Sequence, residues 1–238
     1  MALLGSGAAF ANGTIEGTIR LAGPAPAVAA RPILKDASAC GREAAAESVV
    51  VGKGGGLGNV VVFLKDAKPA PAPAPAPVAG ASLDQRKCRY IPHVQALTVG
   101  TSLAVMNNDA ILHNVHGNEA KTDGPALTVF NLATPIKGQK VPVAMRKPGL
   151  VKLQCDAGHT WMNAWIDAFP HPYHAVTDQD GKATLTAIPP GTYQVAVWHE
   201  TLGKEAKTVT IKAGETASVR FEHLTAAPDT TAPKGNSK

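Results

Sequence analysis

The chain of 238 residues is poor in aromatic side chains (5%) and in charge (17%), and it holds only 4 methionines and 3 cysteines. Each shortage argues against a class of function. Lys and Arg are scattered, with no basic run of four or more and no aromatic-basic interleaving. The net charge of +5 therefore does not describe a nucleic-acid surface. No stretch approaches the ~20 consecutive apolar residues of a membrane-spanning helix, so no transmembrane segment is expected. The absence of Met-rich or His-rich tracts weighs against a metal store. An odd number of cysteines cannot pair completely, which fits one disulfide and one thiolate kept for chemistry.

What the chain does have is 23 Gly, 19 Pro and abundant Val and Thr, the composition of an all-β protein with many turns. Residues 1–11 are apolar and small and close on Ala9-Phe10-Ala11. They read as the remnant of a secretion signal whose start lies upstream, or else as a disordered apolar terminus. Gly13 to Leu21 alternates apolar and polar residues as a half-buried strand does, and Asn59 to Lys65 reads as a buried strand. Alternating Pro and Ala from Pro69 to Pro77 make a stiff connector within residues 69–82. Short strands follow across residues 83–170. The pattern resets beyond Pro172, with strands to Phe221, and residues 225–238 read as a disordered tail.

The strongest chemical signal is Cys155-x3-His159-x2-Met162, with His113-Asn114-Val115-His116 upstream. One thiolate, two imidazoles and a thioether are the donors that copper takes in an electron-transfer site, the thioether on a long axial bond. His116 lies three after His113, so on a strand it faces the other way and is expected at a rim. His93 is expected in a packing or exposed role. His171-x2-His174 lacks acidic or Cys neighbours to complete a site, and His199-Glu200, ending a strand, reads as exposed. Cys40 and Cys88 would form a disulfide in an oxidising compartment, tying the N-terminal segment to the first strand of the 83–170 region; the alternative is two free buried thiols.

Tyr90-x-Pro92, Leu97-Thr-Val-Gly100, Asn107-Asn-Asp-Ala-Ile-Leu-His113-Asn114-Val115 and the Cys155–Met162 run resemble the cupredoxin family, the Greek-key β-barrels of plastocyanin and azurin. The resemblance implies a mononuclear site with His113, Cys155 and His159 as equatorial copper ligands and Met162 as the axial one. Asn114 would then steady the ligand loop, and electrons would cross the exposed edge of His159 beside a docking patch that includes Thr160 and Trp161. The spacing is also similar to half of a dinuclear copper A centre, but Val151 stands where the second Cys is needed. Gly13-x-Ile-x-Gly-x-Ile, Val60–Leu64, Thr177-Asp-x-x-Gly181 and Pro189-Pro-Gly-Thr-Tyr193 resemble the carboxypeptidase regulatory-like, or prealbumin-like, β-sandwich.

The expected architecture is therefore all-β. Residues 12–68 and 171–224 form one split sandwich, and the cupredoxin barrel of 83–170 is inserted between them. With His199-Glu-x-Leu-Gly203, the arrangement also resembles bacterial secreted proteins labelled methylamine-utilisation proteins. These likenesses imply a periplasmic or secreted, non-enzymatic copper protein carrying single electrons between redox proteins. A copper carrier or store, or a binding sandwich with a non-functional copper site, are the alternatives.

Overall fold

The computed structural model describes residues 11–68, 81–121 and 124–224. The expected signal remnant except Ala11, the expected Pro/Ala connector up to residue 80 and the expected tail lie outside the described residues. The chain is all-β. Its strands run β1 (Gly13–Leu21), β2 (Arg31–Pro32), β3 (Glu43–Ala44), β4 (Val61–Leu64), β5 (Ser82–Gln85), β6 (Tyr90–Ile91), β7 (Val94–Thr98), β8 (Ser102–Asn107) and β9 (His113–Glu119). They continue as β10 (Thr128–Thr134), β11 (Lys140–Ala144), β12 (Gly149–Gln154), β13 (Asn163–Phe169), β14 (His174–Val176), β15 (Lys182–Ile188), β16 (Gly191–His199), β17 (Gly203–Ile211) and β18 (Thr216–Leu224). A single helical turn, α1 (Ala37–Cys40), lies between β2 and β3.

The middle strands make a barrel of two sheets, ordered β11-β8-β5-β6 and β10-β9-β12-β13-β7. Alternation fills its interior: β8 buries Leu103 and Val105, and β13 buries Ala164 and Ile166. Tyr90, Leu83 and Leu153 complete this core with no exposed surface. β5 runs parallel to β8 and β13 parallel to β7, so the two sheets are stitched by crossovers as well as hairpins.

The outer strands make a second pair of sheets, β15-β1-β18 and β14-β4-β16-β17. β1 pairs antiparallel with β15 and parallel with β18, and β4 pairs antiparallel with both β14 and β16. Strands that precede the barrel in sequence are therefore hydrogen-bonded neighbours of strands that follow it. Ile15, Ile19, Leu64, Val195 and Phe221 form the core between these sheets. Buried Thr177 ties the two halves: its hydroxyl accepts from the Val60 N–H (3.0 Å) and donates to the Leu57 carbonyl (2.7 Å). Gly181 adopts φ +74° with its α-carbon so close to β1 that a β-carbon would stand 2.1 Å from the Ile19 oxygen. Only glycine fits that crossing.

Where the barrel meets the outer sheets, Val61, Val94, Phe169 and Trp198 share a third cluster, with Phe63 tilted against Phe169 at 4.8 Å and Trp165 edge-on to Trp198 at 5.2 Å. A polar lock sits beside it. Glu200 accepts from His93 Nε2 and from Trp165 Nε1 (2.8 Å), while His93 Nδ1 reaches the Asn163 carbonyl at 3.1 Å. His199, expected to be exposed, is instead only 1% exposed. The turn after β16 folds back over it, and its Nδ1 accepts the Thr201 and Leu202 N–H groups at 3.2 and 3.1 Å.

Residues 31–44 leave the outer sheets. Arg31 and Pro32 pair with Ala44 and Glu43, and Ile33, Cys40 and Ala44 bury their side chains in the barrel core. This strap lies within the 12–68 stretch expected in the sandwich, yet it packs on the barrel. Cys40 at its helical turn is joined to Cys88 in a disulfide, with α-carbons 5.1 Å apart.

Candidate metal centre

His113 opens β9, while Cys155, His159 and Met162 lie on the turn between β12 and β13. The hairpin register closes at Gln154 opposite Asn163, which leaves the eight residues Cys155 to Met162 as a loop outside the ladder. Its shape is fixed by Met162 N–H donating to the His159 carbonyl (2.9 Å) and by Gly158 at φ +94°. On the facing side, the Asn107 amide donates to the carbonyls of Ile111 (2.9 Å) and Thr134 (2.6 Å), pinning the approach to His113. Packing thus presents residues from two separated segments to one point at the end of the barrel.

At that point the Nδ1 atoms of His113 and His159 lie 3.1 Å apart, and the Cys155 sulfur is 3.6 Å from His159 Nδ1. All three donor atoms fall within 4.8 Å of one another, and their residues are buried, the two histidines fully and Cys155 to 5% exposure. The far nitrogen of each ring is taken. His113 Nε2 is 2.8 Å from Asp109 Oδ2, and His159 Nε2 is 2.9 Å from Asp36 Oδ2. A carboxylate only accepts, so each Nε2 carries a hydrogen and Nδ1 is the nitrogen each ring turns inward. The single thiol hydrogen of Cys155 can serve one of the two Nδ1 lone pairs and leaves the other without a donor. The three groups fit a thiophilic cation held between them, and carboxylates behind ligating imidazoles are the usual means of fixing ring orientation.

The surroundings carry the consequences of that burial. Desolvation lowers the His113 imidazolium pKa despite the opposing pull of Asp109. The hydrogen bond from His159 holds the Asp36 carboxyl below its ordinary range. Burial first, and then the neighbouring Cys155, push the Tyr90 phenol well above its usual value, so its hydroxyl stays protonated and donates to the Asn114 carbonyl. Trp161 packs on His159 with ring centroids 5.2 Å apart and donates from Nε1 to the Cys88 carbonyl at 3.2 Å.

Of the residues singled out from the sequence, His113, Cys155 and His159 are brought together. Met162 is buried at the end of the same loop, 2% exposed. Asn114 Oδ1 accepts the Asp156 N–H (3.2 Å), and its amide donates to Asn131 Oδ1 (2.6 Å) and the Leu132 carbonyl (3.1 Å), so it ties β9 and β10 to the loop. His116 faces away and bonds Asp156 (2.7 Å) and Thr128 (2.9 Å). A second grouping, Cys88 with Asp109 and His113, offers no thiolate, because the Cys88 sulfur is in the disulfide.

The expected exposed edge of His159 is not there. The ring is fully buried, covered by Asp36 and Trp161, and Trp161 is itself only 8% exposed. The sequence reading missed Asp109 and Asp36. Asp109 stands four residues before His113 in a motif already noted, whereas nothing in the sequence relates Asp36 to a histidine far along the chain.

Among solved structures, a purple cupredoxin from Nitrosopumilus maritimus is 20% identical and covers 37% of this chain and 99% of its own, with a TM-score of 0.32. A reduced Cu(I) form of amicyanin is 20% identical over 45% of this chain and 97% of its own, TM-score 0.32. A Cu-containing nitrite reductase from Thermus scotoductus SA-01 is 20% identical over 43% of this chain and 25% of its own, TM-score 0.30. Similarity this low leaves the metal's identity to the side chains. A family model described as Polysaccharide lyase family 4, domain II matches residues 144–219, from the end of β11 into β18, which is less than half of the chain. No curated protein matches the sequence. No helix among the described residues is long and apolar enough to cross a membrane.

Proposed function

We propose that the protein is a mononuclear copper protein that passes single electrons between redox partners in an oxidising compartment, the periplasm or outside the cell. The observation that carries this reading is the convergence of two inward Nδ1 lone pairs and one thiol, with both outer nitrogens held by carboxylates. His113, Cys155 and His159 would hold the ion, and Met162 would add a weak fourth contact. Bound copper would supply a one-electron couple.

The chain's own residues do the rest. Asp109 and Asp36 lock the rings, and Asn114 anchors the loop, so the donors have little freedom to move when the charge changes. Burial of every donor excludes water and leaves little room for a substrate at the metal, which favours a carrier over an enzyme. The Cys40–Cys88 disulfide suits an oxidising compartment. Strand pairing of β1 with β15 and β18 supports residues 12–68 and 171–224 as the two parts of one sandwich, the barrel of 83–170 being inserted.

The test is the visible spectrum and voltammetry of the copper-loaded full chain. An intense thiolate-to-copper band and a reversible one-electron couple are expected, and both should vanish in Cys155→Ser. A band that survives that substitution, or a wild-type chain with neither signal, overturns the reading.

A further inference from the structure

Residues 33–40 carry the strap's hydrogen bonds to the ligand loop. Ile33 is 7% exposed in the barrel core, while Leu34 beside it is 89% exposed. Lys35 Nζ donates to the Ala157 carbonyl on the ligand loop, and its stem lies over Gly158, where an added β-carbon would stand 3.2 Å from Lys35 Cδ. Asp36 is the N-cap of α1 in the left-handed conformation, φ 53° and ψ 34°, uncommon for a residue with a side chain. Its backbone oxygen accepts the Ala39 and Cys40 N–H groups at 2.9 Å. An N-cap carboxylate ordinarily bonds the first free N–H groups of its own helix. Here it makes no such bond and reaches His159 Nε2 instead.

The disulfide joins this arrangement to the other imidazole. Cys40 closes α1. Cys88 N–H donates to Asp109 Oδ2 at 2.8 Å, and the same oxygen takes the His113 Nε2 hydrogen at 2.8 Å. Each carboxylate behind a ligand ring is thus anchored next to one half of a single cystine.

We infer that residues 33–40 are a cap on the metal centre, in which Asp36 is a positioning residue for His159 and the Cys40–Cys88 bond keeps the cap closed. This deepens the copper reading and rests on it. The cap covers the imidazole edge of His159, with Leu34 outermost. Asp36 selects the tautomer that turns Nδ1 inward. The disulfide, distant from the metal in sequence and never its ligand, sets how readily His159 is released.

The experiment uses the full chain in two states. In the metal-free protein, long-range ¹H–¹⁵N correlation at pH 8 reads the His159 tautomer directly. The hydrogen is expected on Nε2 in the wild type. Asp36→Gly removes the carboxylate while suiting the positive φ, and that preference should be lost. Asp36→Asn, which keeps size and one acceptor oxygen, should retain most of it. In the copper-loaded protein, transfer of Cu(I) to bicinchoninate should be ~10- to ~100-fold faster in Asp36→Gly and after reduction of the disulfide, the scale typical of a removed ligand-orienting partner. A wild-type hydrogen on Nδ1, or release unchanged in both the variant and the reduced protein, overturns the cap. If the tautomer behaves as expected but no thiolate-to-copper band forms, the copper assignment fails and the positioning of His159 by Asp36 stands.

Discussion

The Nδ1 atoms of His113 and His159 face each other at 3.1 Å, because Asp109 and Asp36 hold both Nε2 hydrogens on the far sides, and the Cys155 thiol beside them has a single hydrogen to offer. In the metal-free protein that one hydrogen cannot serve both nitrogens of the buried site. Metal binding should therefore raise stability by the ordinary linkage: ~2.7 kcal/mol at a free ion concentration ~100 times Kd. Urea titration with and without copper measures it, and Cys155→Ala should remove most of the gain. A gain as large without Cys155 would show that the ion binds elsewhere.

The disulfide closes a loop between cysteines 48 residues apart. Loop closure of that length restricts the unfolded chain by ~4 kcal/mol at most in the chain-entropy account. A Cys40→Ser/Cys88→Ser double variant should lose ~2–4 kcal/mol of unfolding free energy in urea at pH 7. Because the strap buries only Ile33, Cys40 and Ala44 in the barrel core, its own packing is too thin to offset that loss.

Much of this architecture was legible because it is local. The alternation in Gly13–Leu21 and Asn163–Phe169 states which side chains point inward, and a Cys-x3-His loop after a strand brings two donors together whatever surrounds them. What was not legible depended on contacts between distant segments. Asp36 meets His159 across 123 positions, and nothing about either residue announces it. The burial of His199 follows from a turn that folds back on its ring, so a histidine at a strand end looked exposed. The strap 31–44 lacks a strong period of its own and follows the barrel because the disulfide and Ile33 hold it there.

Glu200 joins the outer sheets to the barrel through His93 and Trp165. Burial raises its pKa, but the hydrogen bond and charge of His93, then the bond from Trp165, outweigh this and hold the carboxyl below its ordinary value. A depressed carboxyl pKa contributes stability that is full above the unfolded value of ~4.3 and is lost as pH falls through the folded value. Glu200→Ala leaves two buried donors without an acceptor and should cost ~3–5 kcal/mol at pH 7, the range for breaking a buried pair. Glu200→Gln, which keeps an acceptor, should cost less, and both deficits should shrink at pH 3.

Asp167 works in the opposite sense. It sits in β13 between Leu150 of β12 and Ala96 of β7, and burial lifts its pKa to about 6 against a weaker pull from Lys204. A raised carboxyl pKa means that the folded chain holds a proton the unfolded chain has released, so stability falls as pH climbs from ~4 to about 6 and then levels off. Asp167→Asn removes the ionisation. The variant should match the wild type near pH 4 and exceed it by roughly 2–3 kcal/mol at pH 8, because each pH unit separating the folded and unfolded pKa values is worth ~1.4 kcal/mol. His174 and His199, each pulled by burial down to about 4, impose the reverse slope between those values and ~6.5, because the unfolded chain binds their protons first. The wild-type profile alone therefore mixes the two. The difference between variant and wild type, from urea midpoints at each pH, cancels the histidines and isolates Asp167; a flat difference would place its carboxyl in water.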